Sequence, residues 1–94
     1  MIQGFACAET AAFFHEGDCP AEWRAIERVV ARKLDMLDAA MSLKDLASPG
    51  NSLEALKRDR KGQHSIRVNR RWRVCFVWDK GKGGPAAVEV VDYH

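Results

Sequence analysis

The chain has 94 residues, which suits one domain over residues 1–94 that buries roughly 60 to 65% of its unfolded surface and excludes a second domain. A hydrophobic fraction of 47% beside 30% charged residues excludes a disordered chain. The net charge is +2, but the charges are unevenly distributed along the sequence, because residues 54–73 carry +6 and the others −4. Such a basic block is typical of a phosphate-binding surface, and a solvated charged hairpin is the alternative.

The first forty residues predict a strand followed by two helices. Weak alternation over residues 2–6 predicts a short first strand, and residues 9–16 predict a helix that ends at Gly17. Pro20 suits the first turn of a second, longer helix that runs to about residue 40. The buried stripe of this helix consists of apolar residues spaced three and four apart: Ile26, Val29, Val30, Leu34, Leu37 and Met41.

The opposite face of the second helix carries Arg24, Arg28 and Arg32, each four residues from the next. Like charges at this spacing slightly destabilise an isolated helix, so the row favours a negatively charged partner such as RNA. Arginines whose stems cover the edge of the helix explain the same pattern equally well.

The second half of the chain predicts four strands. After a connector over residues 42–50, alternating runs occupy residues 53–57, 65–68, 73–78 and 86–93, with turns at 59–62, 69–71 and 80–85. The inward residues are Ile66 and Val68, then Val74, Phe76 and Trp78, then Val88 and Val90. The order strand, helix, helix, four strands predicts an α+β fold with both helices on one face of a mainly antiparallel sheet.

Targeting and metal-binding patterns are missing from the sequence. Residues 1–14 lack the basic and apolar regions of a signal peptide, and no stretch approaches the ~18 apolar residues of a membrane span. We therefore expect a cytoplasmic protein that does not bind membranes. Cys7, Cys19 and Cys75 form no C-x-x-C pair and have no histidine at metal-ligand spacing. We expect reduced cysteines, no metal and no other cofactor.

Two segments carry residues suited to chemistry on a phosphate. The chain ends with Asp92, Tyr93 and His94, and alternation should carry Tyr93 to the face opposite Val90 unless a bulge intervenes. A histidine is the natural proton shuttle at neutral pH. An inert C-terminus is the alternative interpretation.

The second segment is the basic strand, turn and strand over residues 53–68. With its leucines held in the core, Lys57, Arg60 and the later Arg73 are expected to converge on the exposed sheet face as a phosphate clamp. Trp72, next to Arg73, is expected to cap the core rather than to stack on a base, because large aromatic residues commonly close small cores.

Three stretches together resemble one family over the whole length of the chain. They are LEALKRDRKGQHSIRVN at residues 53–69, RWRVCF at 71–76 and the terminal VDYH at 91–94, and they resemble the HigB toxins. The resemblance implies a RelE-like fold and a role as the toxin of a type II toxin–antitoxin pair. Such toxins cut messenger RNA on the translating ribosome and are silenced by a HigA-like helix-turn-helix antitoxin. Contact with DNA is then expected only indirectly, through the antitoxin complex.

The resemblance can be carried over residue by residue. It places Asp92, Tyr93 and His94 on the family's catalytic motif and Lys57, Arg60 and Arg73 on its basic positions. This chain departs from the family at Glu54, which stands where some members have a catalytic histidine, and at Arg58, which replaces a glycine usual in this turn.

For metal-independent cleavage by the ribose 2′-OH, we expect Glu54 or Asp92 as general base and His94 as general acid. Tyr93 is expected to orient or stack on the substrate, and Arg73 to stabilise charge in the transition state. The expected RNA-binding residues are Lys57, Arg58, Arg60, Lys61, Arg24, Arg28 and Arg32.

Two other classes of function stay open at this point. A related fold poisons DNA gyrase without nuclease chemistry, as ParE-like toxins do. A non-catalytic module that binds RNA or protein is the third possibility. The Asp-Tyr-His ending argues against both, through the resemblance alone.

Overall fold

The computed structural model describes residues 1–92. Its helices are α1 (Ala8–Glu16) and α2 (Glu27–Ala39), and its strands are β1 (Glu54–Ala55), β2 (His64–Arg67), β3 (Trp72–Asp79) and β4 (Gly84–Asp92). Short 3₁₀ helices occupy Ala21–Ile26, Leu43–Leu46, Pro49–Asn51 and Arg58–Arg60. The strands form one sheet in the order β1-β2-β3-β4, and each neighbouring pair is antiparallel. The predicted α+β class, with two helices and a mainly antiparallel sheet, is confirmed.

Helix α1 ends as its sequence predicts. Gly17 adopts the left-handed conformation (φ 78°), and its backbone N–H donates to the Phe13 carbonyl oxygen over 2.9 Å. Glycine has no Cβ that would clash in this conformation, so it terminates a helix without strain.

The predicted second helix is divided into two parts. It begins as the 3₁₀ helix Ala21–Ile26 and continues as α2, which ends at Ala39. The 3₁₀ part carries the buried Trp23, whose ring meets those of Phe13 and Trp72 edge-on at centroid distances of 5.7 and 6.4 Å. The prediction that Met41 completes the apolar stripe is wrong, because the chain leaves the helix after Ala39, and Met41 is 82% exposed.

The predicted first strand is reduced to a single bridge. Phe5 pairs with Val88 in the parallel sense, and flanking hydrogen bonds run from the Ala6 N–H to the Val88 carbonyl and from the Val88 N–H to the Gly4 carbonyl. The neighbouring Ala87 has a φ of 49°, where the pairing of β3 with β4 changes register. This bulge interrupts the edge of β4, so residues 2–6 do not extend into a regular strand.

The core lies between the helices and one face of the sheet. The side chains that meet there are Val30, Leu34 and Leu37 of α2 with Ile66, Val74, Phe76, Val88 and Val90 of the sheet. Of the predicted inward residues, Val68 and Trp78 are partly buried and pack against this cluster. Each fully buried apolar side chain of this size contributes about 1.5 to 3 kcal/mol. In the described part of the chain, no helix is long and apolar enough to cross a membrane.

Candidate active site on the outer face of the sheet

A row of polar side chains crosses the sheet on the side away from the helices. Glu54 pairs with Ser65, Ser65 with Cys75, and Cys75 with Glu89. Cross-strand partners share one face of a sheet and alternate with the residues between them. Because those intervening residues form the core, the row lies on the opposite face. We call this the outer face, defined by Glu54, Ser65, Arg73, Cys75 and Glu89.

Arg73 is fixed on the outer face by two serine residues. Its Nε donates to Ser65 Oγ over 2.7 Å, and its Nη2 donates to the Ser52 carbonyl oxygen over 2.6 Å. Both acceptors are neutral, and within residues 1–92 the guanidinium forms no ion pair with a carboxylate. The group is therefore held in one orientation while its positive charge stays available to an anion.

Glu54 lies on the same outer face as Arg73. Glu54 and Arg73 both neighbour Ser65, one through the pairing of β1 with β2 and the other through the hydrogen bond to Ser65 Oγ. The Glu54 residue is exposed. The structure thus brings together one predicted base and one predicted cation of the site.

Arg60 also reaches the outer face, but it is held in an ion pair. Its Nη2 lies 2.9 Å from Glu89 Oε1, and its Nη1 donates to Gln63 Oε1 over 3.0 Å. To contact a phosphate, the Arg60 guanidinium has to exchange the Glu89 carboxylate for it. The sequence interpretation missed Glu89, although its position between the inward Val88 and Val90 already marks it as outward-facing.

Cys75 lies between these charged groups and is buried. Burial raises the pKa of the Cys75 thiol; Arg60 and Arg73 lower it by smaller amounts, and Glu89 raises it. The thiol is therefore neutral at physiological pH and is no nucleophile. It fills space beneath the guanidinium groups, as predicted for a packing cysteine.

The turn between β1 and β2 displays Lys57 of the predicted clamp together with two other predicted RNA-binding residues, Arg58 and Lys61. Lys57, Arg58 and Lys61 are exposed, while Leu56 is buried and its N–H donates to the Gln63 carbonyl over 2.9 Å. One surface depression is lined by Glu54, Ala55, Leu56, Lys57 and Arg58. The predicted base and two predicted cations therefore share one open depression.

Arg58 has a φ of 57°, in the left-handed region. A glycine reaches this conformation without strain, whereas the Cβ of other residues crowds the backbone. A glycine at this position, as the family resemblance implies, would avoid both the backbone strain and the charge of Arg58.

Asp92 lies at the end of β4, where it pairs with Trp72 instead of Arg73. Its Oδ2 accepts hydrogen bonds from Arg71 Nε at 2.8 Å and Nη2 at 2.7 Å. Hydrogen bonding to Asp92 raises the pKa of the Arg71 guanidinium, which also stacks 5.4 Å above the Trp72 ring. Asp92 therefore shares a sheet face with Trp72, next to the core. The other two predicted residues of the tail, Tyr93 and His94, lie outside the described residues.

The predicted arginine row lies on a different surface. Arg24, Arg28 and Arg32 are exposed, and Arg28 and Arg32 occupy the side of α2 opposite the buried Val30 and Leu34. Since α2 packs on the inner face of the sheet, these arginines and Arg73 cannot contact the same phosphate. The predicted basic residues form two surfaces.

Within residues 1–92, no group of three or more histidine, cysteine, aspartate or glutamate side chains is arranged to hold a metal ion.

Two helices packed against a four-stranded antiparallel sheet, whose outer face carries both guanidinium and carboxylate groups, define an α+β protein with the fold of the RelE-like toxins. Residues 4–94 match the family model described as the RelE-like toxin of type II toxin–antitoxin system HigB. The chain belongs to this HigB-like toxin family.

Two known proteins are similar to parts of this chain. Toxin HigB-1 of Vibrio cholerae serotype O1 is 47% identical over 58 residues, which are 61% of this chain and 61% of that protein. An uncharacterized protein of Haemophilus influenzae is 35% identical over 72 residues, or 74% of this chain and 71% of that protein. The match thus spans about three fifths of the length of Toxin HigB-1 of Vibrio cholerae.

Proposed function

We propose that this HigB-like toxin is a metal-independent endoribonuclease that cuts messenger RNA on the translating ribosome. The observation that supports the proposal is the Arg73 guanidinium, which two serine oxygens hold on the outer face, where the exposed Glu54 is the cross-strand neighbour of the same Ser65. A fixed cation next to a general base is the arrangement that cleavage by the neighbouring 2′-OH requires.

The proposed reaction is a transfer of the phosphate ester from one ribose oxygen to another. Glu54 takes the proton of the 2′-OH, whose oxygen forms a bond to phosphorus. The bond from phosphorus to the 5′-oxygen breaks, and His94 supplies the proton that this leaving oxygen needs. The products are a 2′,3′-cyclic phosphate and a 5′-hydroxyl. Each correctly placed acid or base contributes about 10²- to 10⁴-fold in rate.

The basic residues stabilise the charge that develops on the phosphate. Arg73 stabilises this charge from the orientation in which its hydrogen bonds already hold it. Lys57 contacts the substrate from the depression that it shares with Glu54. Arg60 joins them when phosphate displaces Glu89. Tyr93 orients the substrate or stacks on a base.

Glu54 is the better candidate for the general base than Asp92. Glu54 lies on the outer face with Arg73, whereas Asp92 pairs with Trp72 and accepts two hydrogen bonds from Arg71. We assign Asp92 to holding the end of β4 against β3, from which the last two residues continue.

The proposed partners follow from the two basic surfaces. The outer face, with Arg58 and Lys61 at its edge, binds messenger RNA, and the Arg24, Arg28 and Arg32 row binds ribosomal RNA. Members of type II systems act with an antitoxin, here proposed to be a HigA-like helix-turn-helix protein that alone contacts DNA. The proposed compartment is the cytoplasm, where the ribosomes are.

The test is primer extension on messages from cells that express the wild type, Glu54→Gln, Arg73→Ala or His94→Ala. We expect cuts in the reading frame from the wild type and a loss of about 10²-fold or more in each variant. Arg70→Ala, an exposed arginine in the turn before β3, is the matched control and should cut normally. Unchanged cutting by Glu54→Gln and His94→Ala would remove their assigned roles.

The same cells discriminate the other two classes. DNA breaks that depend on gyrase, without cuts in messenger RNA, would favour a gyrase poison. Stable binding of RNA without cleavage, on or off the ribosome, would favour a binding module. Efficient cutting of naked RNA would contradict only the proposed dependence on the ribosome and would leave the nuclease activity in place.

A further inference from the structure

A buried lysine connects α2 to the loop that precedes β1. Lys33 is 4% exposed, and its Nζ donates to Asn51 Oδ1 over 2.5 Å and to the Gly50 carbonyl oxygen over 3.4 Å. Burial lowers the pKa of this ammonium, and the neighbouring Arg32 lowers it further. Both acceptors are neutral oxygens, so the ammonium is hydrogen-bonded without a compensating charge.

The partner of this lysine has its own hydrogen bonds. Asn51 is fully buried, and its Nδ2 donates to the Leu46 carbonyl oxygen and to Met36 Sδ, each over 3.0 Å. Its side chain thus joins α2, through Lys33 and Met36, to the loop at Leu46. Every polar atom of the Asn51 side chain is used, which fixes the orientation of the amide.

The residue after Asn51 contacts the candidate active site. Ser52 adopts φ 44° and ψ 53°, a left-handed conformation that is unfavourable for a residue with a Cβ. Its carbonyl oxygen is the acceptor, at 2.6 Å, for Arg73 Nη2. A continuous series of contacts therefore runs from Lys33 through Asn51 and Ser52 to Arg73.

Stability alone does not account for this buried ammonium. A well-packed apolar side chain usually stabilises a core as well as a buried polar group does, or better. A hydrogen-bonded network, in contrast, selects one backbone geometry, because any other leaves buried polar groups unsatisfied. The geometry selected here is that of Ser52, one residue beyond the network.

We propose that Lys33 and Asn51 are positioning residues for Arg73: they hold the Ser52 carbonyl where it orients the guanidinium toward the scissile phosphate. This inference rests on the proposed nuclease function. Neither residue contacts the substrate, and both act through the Ser52 backbone.

The test is a double-mutant cycle in single-turnover cleavage on stalled, messenger-programmed ribosomes at saturating toxin. Lys33→Met replaces the ammonium with an unbranched apolar side chain that is one atom shorter. It should slow cleavage by about ten- to one-hundred-fold, because small displacements of a fixed group have effects of that size. In the Arg73→Ala background, the same substitution should change the rate by less than about twofold, since its effect passes through Arg73. Lys44→Met, an exposed lysine of the neighbouring 3₁₀ helix, is the control and should leave the rate unchanged.

A second variant avoids the core. Ser52→Gly retains the left-handed conformation without strain but frees the carbonyl to move, so it should slow cleavage in the same Arg73-dependent way. If Lys33→Met does not fold, Ser52→Gly tests whether the Ser52 carbonyl positions Arg73. Equal slowing in both backgrounds, or none in the wild-type background, would overturn the inference.

The cleavage assay distinguishes failure of the proposed nuclease function from failure of this inference. If the protein is not a nuclease, the wild type leaves the message intact. In that case, hydrogen exchange of the Arg73 Nε–H, measured by NMR, still tests the positioning. We expect this exchange to be about tenfold faster or more in Ser52→Gly. Unchanged exchange would overturn the inference.

Discussion

Replacement of Arg58 by glycine should stabilise the protein. Arg58 has a φ of 57°, and the left-handed conformation costs a residue with a Cβ about 1 to 2 kcal/mol. Glycine avoids this cost but gives the unfolded chain more freedom, which offsets roughly 0.5 to 1 kcal/mol. The net gain is then about 0.5 to 1 kcal/mol, which for a domain of this size raises Tm by roughly 2 to 8 °C.

Thermal unfolding by circular dichroism measures the gain, and two controls separate strain from charge. Arg58→Gln removes the charge and retains the strained backbone, so its Tm should stay close to that of the wild type. The gain of Arg58→Gly should also persist in about 0.5 M salt, where exposed charges are screened. An equal rise in Tm for the glutamine variant, or a lower Tm for the glycine variant, would refute the argument from backbone strain.

Three further predictions concern other parts of the fold. Gly84→Ala should lower the free energy of unfolding by about 1 to 3 kcal/mol and speed amide exchange in residues 2–6. The reason is that a Cβ at position 84 would lie 2.3 Å from the Met1 carbonyl oxygen. Gly4→Ala, whose added Cβ would meet open space, is the control. Glu89→Gln should remove the ion pair that Arg60 forms with Glu89 and steepen the salt dependence of RNA binding by about one counterion. Filter binding measures this slope, and an unchanged slope would contradict the prediction. Lys33 has a lowered pKa in the folded state, so the unfolded state binds more protons than the folded state just below pH 10.5. The stability of the wild type should therefore rise relative to that of Lys33→Met as pH increases toward that value. Chemical denaturation at several pH values measures the two stabilities, and a difference that does not change with pH would contradict the buried ammonium.

The Arg60 and Glu89 pair has a consequence for the proposed mechanism. In the free protein the guanidinium already lies on the outer face, near the buried Cys75 thiol. Arg73, by comparison, is held by neutral oxygens and has no competing carboxylate in the described part of the chain. The two arginines therefore differ in whether a carboxylate competes with the substrate for the guanidinium group. Glu89→Gln should remove this competition at Arg60 and leave Arg73 unaffected.

Local periodicity explains what could be predicted about the fold. The alternation of β3 and β4 placed Val74 and Val90 in the core, and Gly17 marked the end of α1, because these features depend on neighbours within one turn or two residues. The family resemblance was likewise carried by short stretches, and the match over residues 4–94 confirms it. The basic positions of the turn between β1 and β2 were also identified this way, and their roles stay predictions.

Features that depend on distant residues were decided by the tertiary structure. The ion pair of Arg60 with Glu89 joins residues 29 apart, and the hydrogen bond of Arg73 to Ser52 joins residues 21 apart. Whether a polar residue such as Asn51 is buried depends on what packs around it, and no local pattern records that. Periodicity assigns a side chain to a face of its own strand or helix. Only the packing of the elements against one another determines which charges on those faces meet, because Coulomb and hydrogen-bond partners are chosen by distance in space.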